Sequence, residues 1–266
     1  MRILLLNGNT SESITEALFA EARRHAGGET EIVATRCERG ANVVASRAAE
    51  VVAASAMLEA VAAVDEPFDA VLVAISFDTA VQALRELLPV PVVGMTEAAC
   101  HVATMVGSRF GVVLPGERNA AVYRERIVAC GFEPRFAGMR VVGSSAAALY
   151  ADPENALEAI RIAAQALVDE DRCDAVILAG AALVGLHRRI QADCPVPLID
   201  GIACGVGMLE SLVRLKLPKP RAGSYAAPAP AQLQNIDPAL AALFACPAVD
   251  RTHPGFRTEG DHDHEY

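Results

Sequence analysis

A chain of 266 residues and 27.9 kDa is long for one ordinary domain and short for two independent ones. Hydrophobic residues make up 53% and charged residues 21%, with a mean hydropathy of +0.30, which excludes a disordered chain. The 33 acidic and 23 basic residues give a net charge of −10, which argues against a nucleic-acid partner.

Seven cysteines (Cys37, Cys100, Cys130, Cys173, Cys194, Cys204 and Cys246) are scattered without a Cys-x-x-Cys pair. They fit neither a disulfide framework nor a zinc site, and reduced thiols in a cytoplasmic protein are the expectation. The apolar run Ile3-Leu4-Leu5-Leu6 is too short for a signal peptide, and no segment reads as a membrane span.

In chain order, residues 2–6 form a continuous apolar run of the kind a strand buried on both faces requires. The run ends at Asn7-Gly8-Asn9-Thr10-Ser11, where Thr10 or Ser11 can cap a helix carrying Ile14, Leu18 and Ala22. A strand at 30–34, an Ala-rich helix at 45–63 and a buried strand at 70–75 follow. This alternation predicts an α/β fold with parallel sheets.

The pattern then repeats. Phe68-Asp69-Ala70-Val71-Leu72-Val73-Ala74 is matched by Cys173-Asp174-Ala175-Val176-Ile177-Leu178-Ala179, and Pro89-Val90-Pro91-Val92-Val93 by Pro195-Val196-Pro197-Leu198-Ile199. Two pseudo-symmetric α/β lobes, 1–105 and 106–215, are therefore expected, with the site in the cleft between them. Their strand-end loops should face each other there, because ligands sit beyond the carboxyl ends of parallel strands. Residues 216–266 change character: they are Pro-rich, end in Asp261-His262-Asp263-His264-Glu265-Tyr266, and read as an arm plus a polar tail. The interleaved tail histidines offer a metal-binding reading, with a solvated terminus as the plainer one.

Several motifs resemble the aspartate/glutamate/hydantoin racemase superfamily, in its hydantoin and allantoin racemase branch. They are Asn7-Gly8-Asn9-Thr10-Ser11, Gly94-Met95-Thr96-Glu97-Ala98-Ala99, Arg109-Phe110-Gly111-Val112-Val113, the Gly180 turn and Pro197-Leu198-Ile199-Asp200-Gly201. The resemblance implies a homo-oligomeric isomerase that uses no cofactor and acts on a small hydantoin, amino acid or carboxylate. It also implies one cysteine from each lobe, a thiolate removing a proton from one face while a thiol delivers one to the other. Here Ser76 and Ala181 stand at those positions, so the two-thiol mechanism cannot operate as drawn. A one-base lyase, decarboxylase or hydrolase, or a catalytically silent binding protein, are the alternatives.

Ser76, Asp78 and Glu97 are then the candidate catalytic groups. Ser76 can also simply donate to a substrate carboxylate, and Asp78 can simply cap the helix carrying Val81 and Leu84. Glu97 fits a capping or supporting role equally well. Asn9, Thr10, Thr79, Thr96, Arg118, Gly180, Ala181 and Ala182 are candidate substrate contacts, with Arg118 either clamping a carboxylate or lying solvated. Gly8 and the Asn9–Ser11 turn could cradle an anion at a helix N-terminus, but no nucleotide-binding glycine pattern is present. His187 is a candidate base in the second half, although a surface position fits its distance from Gly180. Cys100 and Cys204, at similar places in the two halves, read as buried structural thiols or as a displaced pair. No cofactor and no metal are expected.

Overall fold

The computed structural model describes residues 1–143, Leu149 and 153–245. Cys246 and the His262/His264 tail lie outside them. The chain runs β1 (Arg2–Asn7), α1 (Glu12–His25), β2 (Glu31–Arg36), α2 (Arg47–Ala62), β3 (Ala70–Val73), α3 (Val81–Leu87), β4 (Val92–Gly94) and α4 (Met95–Val106). It continues with β5 (Phe110–Pro115), α5 (Ala120–Ala129), β6 (Phe136–Val142), α6 (Pro153–Asp169), β7 (Ala175–Leu178), α7 (His187–Ile190), β8 (Leu198–Asp200), α8 (Gly201–Leu215) and α9 (Pro238–Ala245).

Two four-stranded sheets result, ordered β2-β1-β3-β4 and β6-β5-β7-β8. Every pairing is parallel. Both orders place the first strand of each half centrally, which is why residues 3–6 and 110–114 are apolar throughout. Ile3, Leu4, Leu5 and Leu6 are at most 1% exposed; each such side chain contributes about 1.5–3 kcal/mol through burial.

The repeat is visible in the hydrogen-bond register. Ile3 pairs with Ala70 as Phe110 pairs with Ala175, and Val71 pairs with Val92 as Val176 pairs with Leu198. Ser76 and Ala181 are therefore equivalent. Cys100 and Cys204 are not: the β4/β8 register matches Cys100 with Val206 and Cys204 with Ala98, so the repeat does not relate the two thiols.

The last helix of each half crosses to the other sheet. Ile202, Val206 and Leu209 of α8 bury against Ile3, Leu5 and Leu72 of the first sheet. Ala99, Cys100 and Ala103 of α4 share a core with Phe110, Ala175 and Ile177 of the second. The helices start side by side, since a β-carbon on Gly201 would lie 2.5 Å from the Met95 carbonyl oxygen. Glu210 anchors α8 further, accepting from Thr30 Oγ1 at 2.6 Å and from the Gly27 N–H at 2.8 Å.

The described part of the arm packs against the first half. Leu240 and Leu243 of α9 are buried in a core that includes Ala53 and Met57 of α2. Lys219 Nζ donates to the carbonyls of Arg85 and Glu86. No described helix is long and apolar enough to cross a membrane.

Candidate active site

The strand-end loops of the two sheets enclose a cavity of about 50 Å³, room for roughly four water-sized groups. Its lining brings together Asn9 and Ile14 from the β1–α1 region, Val43 and Val44, Ile75-Ser76-Phe77 after β3, Pro115 and Asn119 after β5, Tyr123 of α5, and Gly180-Ala181-Ala182 after β7. Ser11 rather than Thr10 caps α1, accepting from the Ile14 N–H.

Asn9 is 4% exposed, and its neighbours occupy its amide: Oδ1 accepts from the Val44 N–H at 2.8 Å and Nδ2 donates to Asn7 Oδ1 at 2.8 Å. It shapes the wall. Two other lining groups do have free polar atoms. Asn119 Nδ2 donates to the Pro115 carbonyl at 3.0 Å, leaving Oδ1 buried without a partner. The Tyr123 hydroxyl is likewise buried and unpartnered. Burial pushes its pKa up, against the hydroxyls of Ser76 and Thr96 that face it, so Tyr123 is a neutral donor. A buried unsatisfied hydroxyl costs about 1–3 kcal/mol, and a ligand polar group would relieve that. Sequence reasoning missed Tyr123, because a tyrosine among Val122 and Ile127 reads as ordinary core.

Asp78 does not enter the cavity and does not cap α3, whose N-cap residue Ala80 makes no side-chain hydrogen bond. Its carboxylate accepts from the N–H groups of Thr96 at 3.0 Å and Glu97 at 2.7 Å, capping α4 instead. Burial drives its pKa up to about 7, against those two donors. Asp78 and Ala80 both hold positive φ, 50° and 63°, so the loop behind Ser76 is conformationally strained. Thr96 Oγ1 steadies that loop by donating to the Ser76 carbonyl at 2.7 Å, and Thr79 Oγ1 donates to Glu50 Oε1 at 3.4 Å.

Glu97 is turned elsewhere, bound to Arg85 at 2.6 and 3.2 Å on the wall of a separate cavity of about 330 Å³ beneath the arm. Arg118 is exposed in a 3-10 turn and does not line the small cavity, and Thr10 and Thr79 also lie outside the lining. His187 is not on the surface. Its ring is 14% exposed, and Nδ1 faces Asp200 Oδ2 at 3.5 Å. Among the described residues no cysteine lines the cavity, and burial pushes the thiols of Cys100 and Cys204 up, the latter to about 12.

The family model for Asp/Glu/Hydantoin racemase matches residues 3–209, covering both sheets and the loops that make the cavity. The chain belongs to this racemase family. It is 32% identical over 230 residues to the hydantoin racemase of Paenarthrobacter aurescens, spanning 86% of this chain and 98% of that one. Among solved structures, allantoin racemase from Pseudomonas fluorescens superposes with a TM-score of 0.85 at 37% identity, over 88% of this chain and 99% of that one. Allantoin racemase from Klebsiella pneumoniae gives 0.84 at 32% identity, over 88% and 96%. The α/β fold with two parallel sheets, and the isomerase family, are thereby established.

Proposed function

We propose that this racemase-family enzyme acts at a carbonyl-activated carbon of a small hydantoin, amino acid or carboxylate, delivering a proton to one face only. The observation that carries this is the chemistry of the cavity lining. Its O–H groups are Ser76 and Tyr123, and among the described residues it holds no thiol, carboxylate or imidazole. At the second strand end, Gly180, Ala181 and Ala182 have no side-chain heteroatom, so that wall can neither take nor give a proton.

The names of the relatives support the substrate class, since hydantoins and allantoin are small cyclic amides with an acidified carbon. Asn119 Oδ1 would accept a ring N–H and Tyr123 would donate to a ring carbonyl, pairing both atoms that are otherwise buried alone. Ser76, beside Tyr123, would then stand at the reacting carbon with a proton to give. A lining that offers donors and no base suits a reaction in which a departing group leaves the carbanion behind. That favours the lyase or decarboxylase variant over exchange between enantiomers.

Proton NMR in deuterated buffer, with substituted hydantoins, allantoin, amino acids and dicarboxylates, tests this. New product signals with deuterium at one prochiral position are expected, and Ser76→Ala and Tyr123→Phe should each slow them. Interconversion of both enantiomers of a hydantoin would overturn one-face delivery. Binding of a panel member without turnover would overturn the catalytic assignment.

A further inference from the structure

A second cluster stands apart from the cavity, where α1 of the first half meets α7 of the second. Glu21, His25 and His187 each offer a ligand atom, and these atoms lie within 4.8 Å of one another. Glu21 and His25 share one helix face through their four-residue spacing, and His25 Nε2 lies 2.9 Å from Glu21 Oε1. The two imidazoles face each other across the lobes, ring centroids 6.2 Å apart.

The geometry points to a divalent transition-metal site, with zinc as its natural occupant, formed by the Glu21 carboxylate and the His25 and His187 imidazoles. Two imidazoles and one carboxylate are a ligand set that zinc accepts, with a fourth position left for water. Ligands about 2.0–2.1 Å from a tetrahedral metal stand roughly 3.3 Å apart, so small side-chain adjustments close this set. Glu21 is already held within it, its side chain only 4% exposed.

An independent observation supports the assignment. His187 Nδ1 is buried and has no hydrogen-bond partner, yet it faces Asp200 Oδ2 at 3.5 Å. Asp200 is fixed in turn: Oδ1 accepts from the N–H groups of Ile202 and Ala203, and Oδ2 from that of Gly185. A carboxylate behind the distal nitrogen of a histidine is the arrangement that fixes the tautomer of a metal ligand and raises its basicity. With Nδ1 turned to Asp200, the other ring nitrogen of His187 is the one left to serve as the ligand atom.

Arg188 pairs with the same carboxylate, its Nη1 on Glu21 Oε1. Its side chain is 39% exposed and can swing out, leaving Glu21 an oxygen for the ion. Since α1 begins beside the cavity at Ile14 and α7 follows Gly180–Ala182, a bound ion would cross-link the two walls of the cleft.

The test is titration of chelator-treated full-length protein with zinc chloride by calorimetry, and with cobalt chloride by absorption. One ion per chain is expected, with nitrogen/oxygen d–d bands for cobalt and no thiolate charge-transfer band. His25→Gln, at an exposed position that leaves folding intact, and His187→Gln should each weaken binding at least tenfold. Arg188→Gln should tighten it. A variant with both His262→Gln and His264→Gln should bind as the parent does. Absence of binding, a thiolate band, loss of binding in the tail variant or parental affinity in His25→Gln would each overturn the site.

Discussion

The carboxylate of Asp78 fills the space over Gly94: a β-carbon added to Gly94 would lie 2.3 Å from Asp78 Cγ. In the second half the same place is solved in reverse. Asp200, equivalent to Gly94 in register, caps α8 itself and reaches back to the Gly185 N–H in the loop after β7. Each half thus ties its cleft loop to its crossing helix with one buried carboxylate, supplied by the loop in the first and by the strand end in the second. The sequence repeat conceals this exchange, because neither aspartate has an aspartate at its equivalent position.

Gly94→Ala should therefore be costly although its φ of −85° suits any residue. The added carbon must push Asp78 off the α4 N-terminus, losing two hydrogen bonds and crowding the core, at about 2–4 kcal/mol. Gly207→Ala, where a β-carbon meets nothing within 4 Å, is the control, and removing a helical glycine there should stabilise by about 0.5–1 kcal/mol. Urea denaturation of the two variants measures the contrast. A Gly94→Ala protein within 0.5 kcal/mol of the parent would mean that Asp78 is not packed as described.

Asp78 also sets a pH dependence. Its pKa rises from 3.8 to about 7 on folding, because burial disfavours the charge more than the two N–H donors favour it. The folded state therefore holds a proton that the unfolded state releases. This contribution is complete below pH 4 and is lost as pH rises toward 7, with an upper limit of about 4 kcal/mol. Asp78→Asn removes the titration. Chemical denaturation at pH 5 and 7.5 should show the parent losing stability relative to the variant, and parallel behaviour would refute the shift.

Much of the fold was legible because parallel strands buried on both faces need unbroken apolar runs, and residues 3–6, 70–73 and 175–178 supply them. The crossing of α4 and α8 was not, since helical periodicity states which face is buried and not which sheet buries it. Among the site residues, Ser76, Gly180, Ala181, Ala182 and Asn9 follow from their place at strand ends. Glu97 and Asp78 could not be placed from the sequence, for one reason. A carboxylate in a strand-end loop looks alike whether it faces substrate, an arginine or a helix N-terminus, and only the fold brings Arg85 and the α4 amides to them.

Glu97→Gln is accordingly expected to leave turnover unchanged. The Arg85–Glu97 pair is 24% and 20% exposed at its side chains, so losing the charge should cost about 1–2 kcal/mol of stability without disturbing the cavity. Product formation in the NMR assay, compared with the denaturation midpoint, separates the two effects. A large fall in turnover at constant stability would return Glu97 to the reacting groups.

Tyr123→Phe separates stability from function in the opposite direction. Its hydroxyl is buried beside Ser76 and Thr96 without a hydrogen-bond partner. Deleting that oxygen leaves the ring in place against Phe77, with ring centroids 5.8 Å apart, and removes an unsatisfied dipole. The variant should be as stable as the parent or more so, by about 1 kcal/mol. Ligand affinity should fall about tenfold, the loss of one hydrogen bond from a neutral donor. Thermal melts with and without a bound hydantoin read both quantities in one experiment. A variant less stable when free, with unchanged ligand-induced stabilisation, would show that the hydroxyl serves the fold and not the ligand.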